Sequence, residues 1–302
     1  MQLKHASFFA GIGGFELGIE AARVSDFNGS SSWGKPRQFL QRGEPPQRTG
    51  SPRSDCLIKT ELFIENNPDA QRVLSYRFPS ISIHSDIKNY YPKSGEFNLY
   101  TIGFPCTGTS IAGNGTGLDH PESKLWFEAL RCIADGRPSF IIIENPTGLV
   151  NKGLRAVLGG LRMVGYVWDD PQIISAAELG SPQRRERLFI IAYTNNILQR
   201  LNGMQTSWSD QIGAEIEAIY NQGRQVKPSC TRVDDGLPRW LGGISFDGYW
   251  RNNISAAPIY PGVRHHLNKR RDCNDLYARS VCPLQAAIAI RRVCYLAKLA
   301  TD

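Results

Sequence analysis

The chain has 302 residues, enough for one large domain and a smaller companion, and its 41% apolar and 21% charged composition is that of a globular protein with a sizeable core. No apolar run reaches the length of a bilayer span, the longest candidate being Phe140 to Ile143, so the expectation is a cytoplasmic protein with no membrane segment. A net charge of +7 favours a polyanionic partner, and seven cysteines scattered without CxxC spacing fit neither a disulfide framework nor a zinc site.

Leu3 to Phe9 reads as a short buried strand, followed by the glycine turn Ala10-Gly11-Ile12-Gly13-Gly14 and an amphipathic helix over Phe15 to Ala22. Arg23 to Leu57 is rich in Ser, Gly, Pro, Gln and Arg, buries too little apolar surface to offset its ordering entropy, and reads as a flexible insert. Further strands are expected at Thr60 to Ile64, Ile81 to His84, Leu99 to Phe104, Phe140 to Glu144, Gln172 to Ala176 and Leu188 to Tyr193. Helices are expected at Asp69 to Phe78, Glu122 to Asp135 and Leu154 to Val164. Such alternation predicts an α/β fold, a mostly parallel sheet with helices on both faces. From Asn195 to Asn274 the pattern is irregular, basic and aromatic, which reads as a smaller domain, and Pro283 to Leu299 is a helix with Leu284, Ile288, Val293 and Leu296 near one face. The expected organisation is therefore 1–194 as the main domain with the insert at 23–57, 195–274 as the small basic domain, and 275–302 returning to the main domain.

Several segments carry polar or reactive groups at expected strand ends. Gly11, Gly13 and Gly14 at a strand-to-helix turn let backbone approach a ligand closely, at a helix N-terminus with unpaired N–H groups. With the insert discounted, Glu65 follows Gly11 by about the spacing at which a nucleotide-binding fold places its acidic ribose partner. Asp86 follows the third strand, placed to meet an adenine amine. Gly103-Phe104-Pro105-Cys106 ends a strand at the sheet edge where open α/β folds bind ligands. A lone cysteine is more often a packed small hydrophobe than a nucleophile. Here, though, it is followed by the polar, glycine-rich stretch Thr107 to Asp119, a candidate closing loop. Glu144 ends the next strand, and Gln183-Arg184-Arg185-Glu186-Arg187 brings guanidinium groups just before another.

Taken in order, Phe9-Ala10-Gly11-Ile12-Gly13-Gly14-Phe15, Gly103-Phe104-Pro105-Cys106, Glu144-Asn145 and Gln183-Arg184-Arg185-Glu186-Arg187 resemble the motifs of the DNA cytosine-5 methyltransferase family, from about Leu3 to Ala192. The resemblance implies a class I, Rossmann-like methyltransferase domain, S-adenosyl-L-methionine as cofactor, and double-stranded DNA as substrate for a monomeric enzyme, with the basic region as its target-recognition domain. It further implies that Phe9, Ala10, Gly11, Gly13, Gly14, Pro105 and Ser280 line the cofactor site, that Glu65 holds the ribose, and that Asp86 and Ile87 hold the adenine. Cys106 is the implied nucleophile, Glu144 the group on the cytosine edge, and Arg185 and Arg187 its supports. Three positions depart from the family pattern: Thr107 replaces a common glutamine, Pro146 a valine, and Arg279 an asparagine that contacts the cofactor. Guanidinium has no acceptor and is bulkier than an amide, so Arg279→Asn is expected to leave activity unchanged or to raise it. The opposite reading, in which Arg279 pairs with the cofactor's carboxylate, stays open. Competing readings are a catalytically decayed DNA-binding homologue, a tRNA cytosine-5 methyltransferase, and a nicotinamide-dependent dehydrogenase that would share only the glycine turn.

Overall fold

The computed structural model describes residues 2–24, 57–105, 124–179, 185–221, 276 and 279–301. The segment 25–56, Cys106 with the stretch to 123, Gln183, Arg184 and most of the basic region lie outside them.

Among the described residues, eight strands form one sheet: β1 (Gln2–Phe8), β2 (Leu57–Ile64), β3 (Ser82–His84), β4 (Leu99–Ile102), β5 (Phe140–Pro146), β6 (Tyr166–Trp168), β7 (Gln172–Ser175) and β8 (Glu186–Thr194). Their order is β3-β2-β1-β4-β5-β8-β6, with β7 also on β8. The first five are parallel, whereas β8 runs antiparallel to β5, β6 and β7. The helices are α1 (Gly14–Val24), α2 (Pro68–Arg77), α3 (Leu125–Gly136), α4 (Leu149–Lys152), α5 (Leu154–Met163), α6 (Asn195–Leu201), α7 (Trp208–Asn221) and α8 (Pro283–Leu299).

Period-2 alternation sends the strand side chains into two cores. Phe140 and Ile142 of β5 join Leu3, Ile58, Leu99 and Ile191 under α1 and α8, while Ile141 and Ile143 join Phe8, Tyr100, Ile102 and Ile190 under α3 and α5. A central parallel strand covered on both faces has to be apolar throughout, and Phe140 to Ile143 is wholly buried.

Several expected boundaries move. Helix α1 runs through Val24 and β2 starts at Leu57, so the insert is shorter at both ends than 23–57. Strand β6 and helix α4 were not foreseen, being only three and four residues long. The region beyond Asn195 is not irregular at its start. Helices α6 and α7 occupy it, and Leu201, Trp208 and Ile212 are buried in the same core cluster as α8. Residues up to Ile212 thus pack with the main body, and the border at 194 does not mark where its core ends. Helix α8 matches its expected span but is buried on more than one face, Gln285, Ala289 and Arg292 included.

A polar chain crosses the sheet beneath the glycine turn. His5 is fully buried, with Nδ1 2.9 Å from Thr60 Oγ1 and Nε2 2.8 Å from Thr101 Oγ1. The Thr101 hydroxyl donates to Ser7 Oγ, so Thr101 accepts from Nε2–H and Thr60 donates to Nδ1, which makes His5 the neutral Nε2–H tautomer. Burial pushes His5 down to about 3 and pushes Glu16, whose Oε1 lies 3.9 Å from Nδ1, up to about 7. Ionisation of Glu16 opposes folding from about pH 4.5 upward, with full effect near pH 7. His5, kept neutral while the unfolded chain protonates, opposes folding below about pH 6.5. Between those values the two slopes cancel. Glu16→Gln is therefore expected to stabilise the protein by on the order of 3 kcal/mol above pH 7, with the gain vanishing by pH 4. Urea melts across this range test it, and a gain independent of pH would reject the assignment.

Candidate active site

Strand order reverses direction at β1 and β4, and the turns after these two strands define a crevice at the carboxyl end of the sheet, where open α/β folds take ligands. On one side is the glycine turn. Phe9 and Ala10 donate their backbone N–H groups to Ile64 O, with Phe9 in the left-handed region at φ +55°. The three glycines do different work. Gly11 has φ +57°, and a Cβ built on it would meet no described residue within 4 Å. At Gly13 a Cβ would strike the Phe78 ring at 2.6 Å, and at Gly14 it would lie 2.5 Å from Val281 O and 2.9 Å from Ser280 Oγ. At Gly13 and Gly14 the missing Cβ admits Phe78, at the end of α2, and the C-terminal segment against the turn.

Glu65, just past β2, is buried and accepts from Gly11 N at 2.7 Å through Oε2 and from Asn67 N at 2.8 Å through Oε1. Burial raises its pKa, opposed by those amides and by the charge of Arg279. Asp86 caps a short 3-10 helix, Ile87–Asn89, accepting from Lys88 N, and Ile87 is buried beside it. Glu65 and Asp86 therefore stand at the ends of adjacent strands, on the side of β1 away from β4.

On the other side of the crevice, Gly103, Phe104 and Pro105 follow β4. A Cβ on Gly103 would lie 3.6 Å from Glu144 Oε2 and 3.9 Å from Phe9 O, so the two turns and Glu144 converge. Asn145, 1% exposed, donates from Nδ2 to Phe104 O at 3.0 Å and pins the backbone just ahead of Pro105. The motif Glu144-Asn145 was legible, but nothing in the sequence distinguished this role for its second residue. Cys106 itself, one residue further, lies outside the described residues.

The antiparallel register of β5 and β8 pairs Pro146 with Arg187, which brings the start of β8 to the end of β5. Arg187 Nε then lies 3.0 Å from Glu144 Oε1, both side chains being largely buried. Burial raises the Glu144 pKa, with Arg187 first and Arg185 second opposing. A carboxyl so placed can exist in its protonated form and donate a hydrogen bond. Arg185 is engaged elsewhere: its guanidinium donates to Ser280 O, while its own carbonyl accepts from Gln285 Nε2 at 2.7 Å. It thus contacts the C-terminal segment that carries Arg279, Ser280 and Val281, and its charge also acts on Glu144. Ser280 is buried against Gly14. Among the described residues, no group of three or more His, Cys, Asp or Glu side chains could hold a metal ion, and no helix is long and apolar enough to cross a membrane.

Comparison with known proteins agrees with this arrangement. The Type II methyltransferase M.CviJI of Paramecium bursaria Chlorella virus IL3A is 30% identical over 225 residues, 68% of this chain and 60% of that protein. M.HpaII of Haemophilus parainfluenzae is 34% identical over 148 residues, 46% and 39% of the two chains. This chain thus spans about half the length of the curated relatives it matches. The crystal structure of the S. pombe Dnmt2 methyltransferase is similar over 98% of both chains at a TM-score of 0.56 and 14% identity, a likeness of fold, the class I methyltransferase architecture. The profile of C-5 cytosine-specific DNA methylases matches residues 3–231, and the chain belongs to that family.

Proposed function

We propose that this protein transfers a methyl group from S-adenosyl-L-methionine to carbon 5 of a cytosine in double-stranded DNA, acting as a cytoplasmic monomer, with Cys106 as nucleophile. The observation that carries the reading is the buried Glu144–Arg187 pair, set across Gly103 from the glycine turn and fixed through Asn145 to the backbone that leads into Cys106.

The crevice fits the cofactor. Gly11 lets the backbone of the turn approach it, and each Glu65 oxygen, beyond the amide it already accepts from, retains acceptor capacity for a ribose hydroxyl. Asp86 and Ile87 offer a polar and an apolar contact for the adenine. S-adenosyl-L-methionine, when bound, supplies an electrophilic methyl group on a sulfonium.

Carbon 5 of cytosine is a poor nucleophile. Addition of the Cys106 thiolate to carbon 6 breaks the 5,6 double bond and makes carbon 5 enamine-like, which splits one hard step into easier ones. Glu144 in its protonated form donates to ring nitrogen 3 as charge develops there, while its other oxygen accepts from the exocyclic amine. Arg187 orients that carboxyl and offers its remaining N–H groups to the base carbonyl. After carbon 5 has taken the methyl group, loss of its proton restores the double bond and expels the thiolate. A stacked base cannot reach this crevice, so the cytosine has to turn out of the duplex at a cost of a few kcal/mol. The net charge of +7 and the basic region at 195–274, proposed as the recognition domain, help offset that cost.

The test is methyl transfer from labelled cofactor to duplex DNA and, separately, to tRNA. Transfer to duplex DNA, a denaturation-resistant adduct on DNA containing 5-fluorocytosine, and loss of both in Cys106→Ala are expected. Transfer to tRNA alone would reassign the substrate, and methylation without an adduct would exclude thiolate addition.

A further inference from the structure

In the first turn of α8, between Leu284 and Ala286, Gln285 is fully buried. Packing alone would favour leucine or methionine at such a position, because a buried amide costs free energy wherever it is left unpaired. Its Oε1 has no hydrogen-bond partner among the described residues. The other end of the amide is used twice: Nε2 donates to Ile174 O at 2.6 Å and to Arg185 O at 2.7 Å. Two carbonyl oxygens at that end leave the amide one orientation, since the flipped form would set its own oxygen against both.

The two carbonyls belong to the backbone that presents Arg187. Ile174 of β7 lies opposite Arg187 of β8, and Arg185 O, which also accepts from Ala176 N, stands two residues before Arg187. The Arg185 guanidinium is held from the same C-terminal segment, by Ser280 O. The start of β8 is thus tied to that segment through both backbone and side chain, beside the point where Arg187 Nε meets Glu144 Oε1 at 3.0 Å.

We propose that Gln285 is a positioning residue for methyl transfer, fixing the start of β8 so that Arg187 stays engaged with the Glu144 carboxyl. The inference rests on the methyl-transfer reading above for its rate measurements and on geometry alone for its titration. Gln285 acts through Arg187, so its loss should resemble a partial loss of Arg187.

Gln285→Met keeps the length and apolar bulk of the side chain and removes the amide donors. In that variant kcat for methyl transfer to duplex DNA is expected to fall by about 10- to 100-fold, with S-adenosylhomocysteine and DNA affinities within about twofold of wild type. Combining it with Arg187→Ala should add less than about twofold to the loss seen in Arg187→Ala alone, since residues acting through one contact are not additive. A merely structural role in α8 would give additive losses instead. The carboxyl itself supplies a readout that needs no activity. With glutamate labelled at the carboxyl carbon, and the Glu144 signal identified by its absence in Glu144→Gln, the NMR titration of Glu144 should move to higher pH in Gln285→Met. Withdrawal of the neighbouring cation leaves burial less opposed. Gln285→His, whose ring can still donate one N–H, should fall between, and it carries the comparison if Gln285→Met does not fold. Additive rate losses, an undiminished rate, or a Glu144 titration unchanged from wild type would overturn the proposal. Should wild type transfer no methyl group to DNA, the methyl-transfer reading fails, while the titration still decides the role of Gln285.

Discussion

Glu144→Gln is expected to lower the methylation rate constant by about 10²- to 10⁴-fold while leaving cofactor affinity within about twofold of wild type. Glutamine keeps the shape and can still accept from Arg187 Nε, so the 3.0 Å contact has a successor and the crevice need not collapse. It can also offer an N–H to ring nitrogen 3. What it lacks is a proton that can move toward that nitrogen as the thiolate adds, so the variant separates hydrogen bonding from acid catalysis. The pH profile supplies an independent check. Burial raises Glu144 and Arg187 opposes that rise, so the protonated form needed for catalysis is lost as pH rises. Removing the cation in Arg187→Ala leaves burial less opposed and should shift the alkaline limb of the rate to higher pH, even as the overall rate falls. Stopped-flow or quench measurements over a pH series give both quantities. A Glu144→Gln rate within threefold of wild type, or an alkaline limb that moves to lower pH in Arg187→Ala, would remove Glu144 from the acid role.

Much of this site was legible because its residues sit where strands end, and strands of this kind announce themselves. Phe140 to Ile143 is apolar at every position, so the carboxylate that follows it falls at the edge of a buried strand whatever the tertiary detail. The same logic placed the glycine turn after β1 and Pro105 after β4. Spacing also located Glu65, although it could not show that the carboxylate is already bound to Gly11 N. What failed was anything decided by a partner distant in sequence. Gly13 and Gly14 look alike in the motif, but one faces Phe78 and the other Val281, and 267 positions of chain separate Gly14 from the latter. Arg185 just precedes β8 and Arg187 lies within it, two positions on. Strand alternation alone would put them on the same face, and it is Ser280, brought back by α8, that draws Arg185 to the C-terminal segment. His5 and Glu16 read as polar interruptions in otherwise apolar segments, and only the packing of α1 on the sheet shows them to be a buried pair.

The return of α8 rests on a second buried charge, and its removal is expected to be the most destabilising of the substitutions considered. Arg292 is 1% exposed, with Nε 2.7 Å from Asp169 Oδ2, Nη1 3.3 Å from Gln211 Oε1, and its guanidinium 5.3 Å from the centre of the Tyr295 ring. Asp169 also accepts from the Tyr193 hydroxyl. Arg292→Ala strands a largely buried carboxylate with that one neutral donor among the described residues, and breaking a buried pair from one side costs about 3–5 kcal/mol. Replacing both partners by apolar groups of similar size, as in Asp169→Leu with Arg292→Met, leaves no charge behind and should cost much less. Denaturant melts of the two single variants and the double variant measure the coupling. If the double variant is as unstable as Arg292→Ala, the loss comes from packing and not from the orphaned charge. The consequence reaches the crevice, because Pro283 and Ala286 at the start of α8 lie against Gly18 of α1, and the segment just before α8 lies against Gly14. Loosening α8 should therefore weaken S-adenosylhomocysteine and methylthioadenosine alike, and calorimetric titration of both into Arg292→Ala measures it.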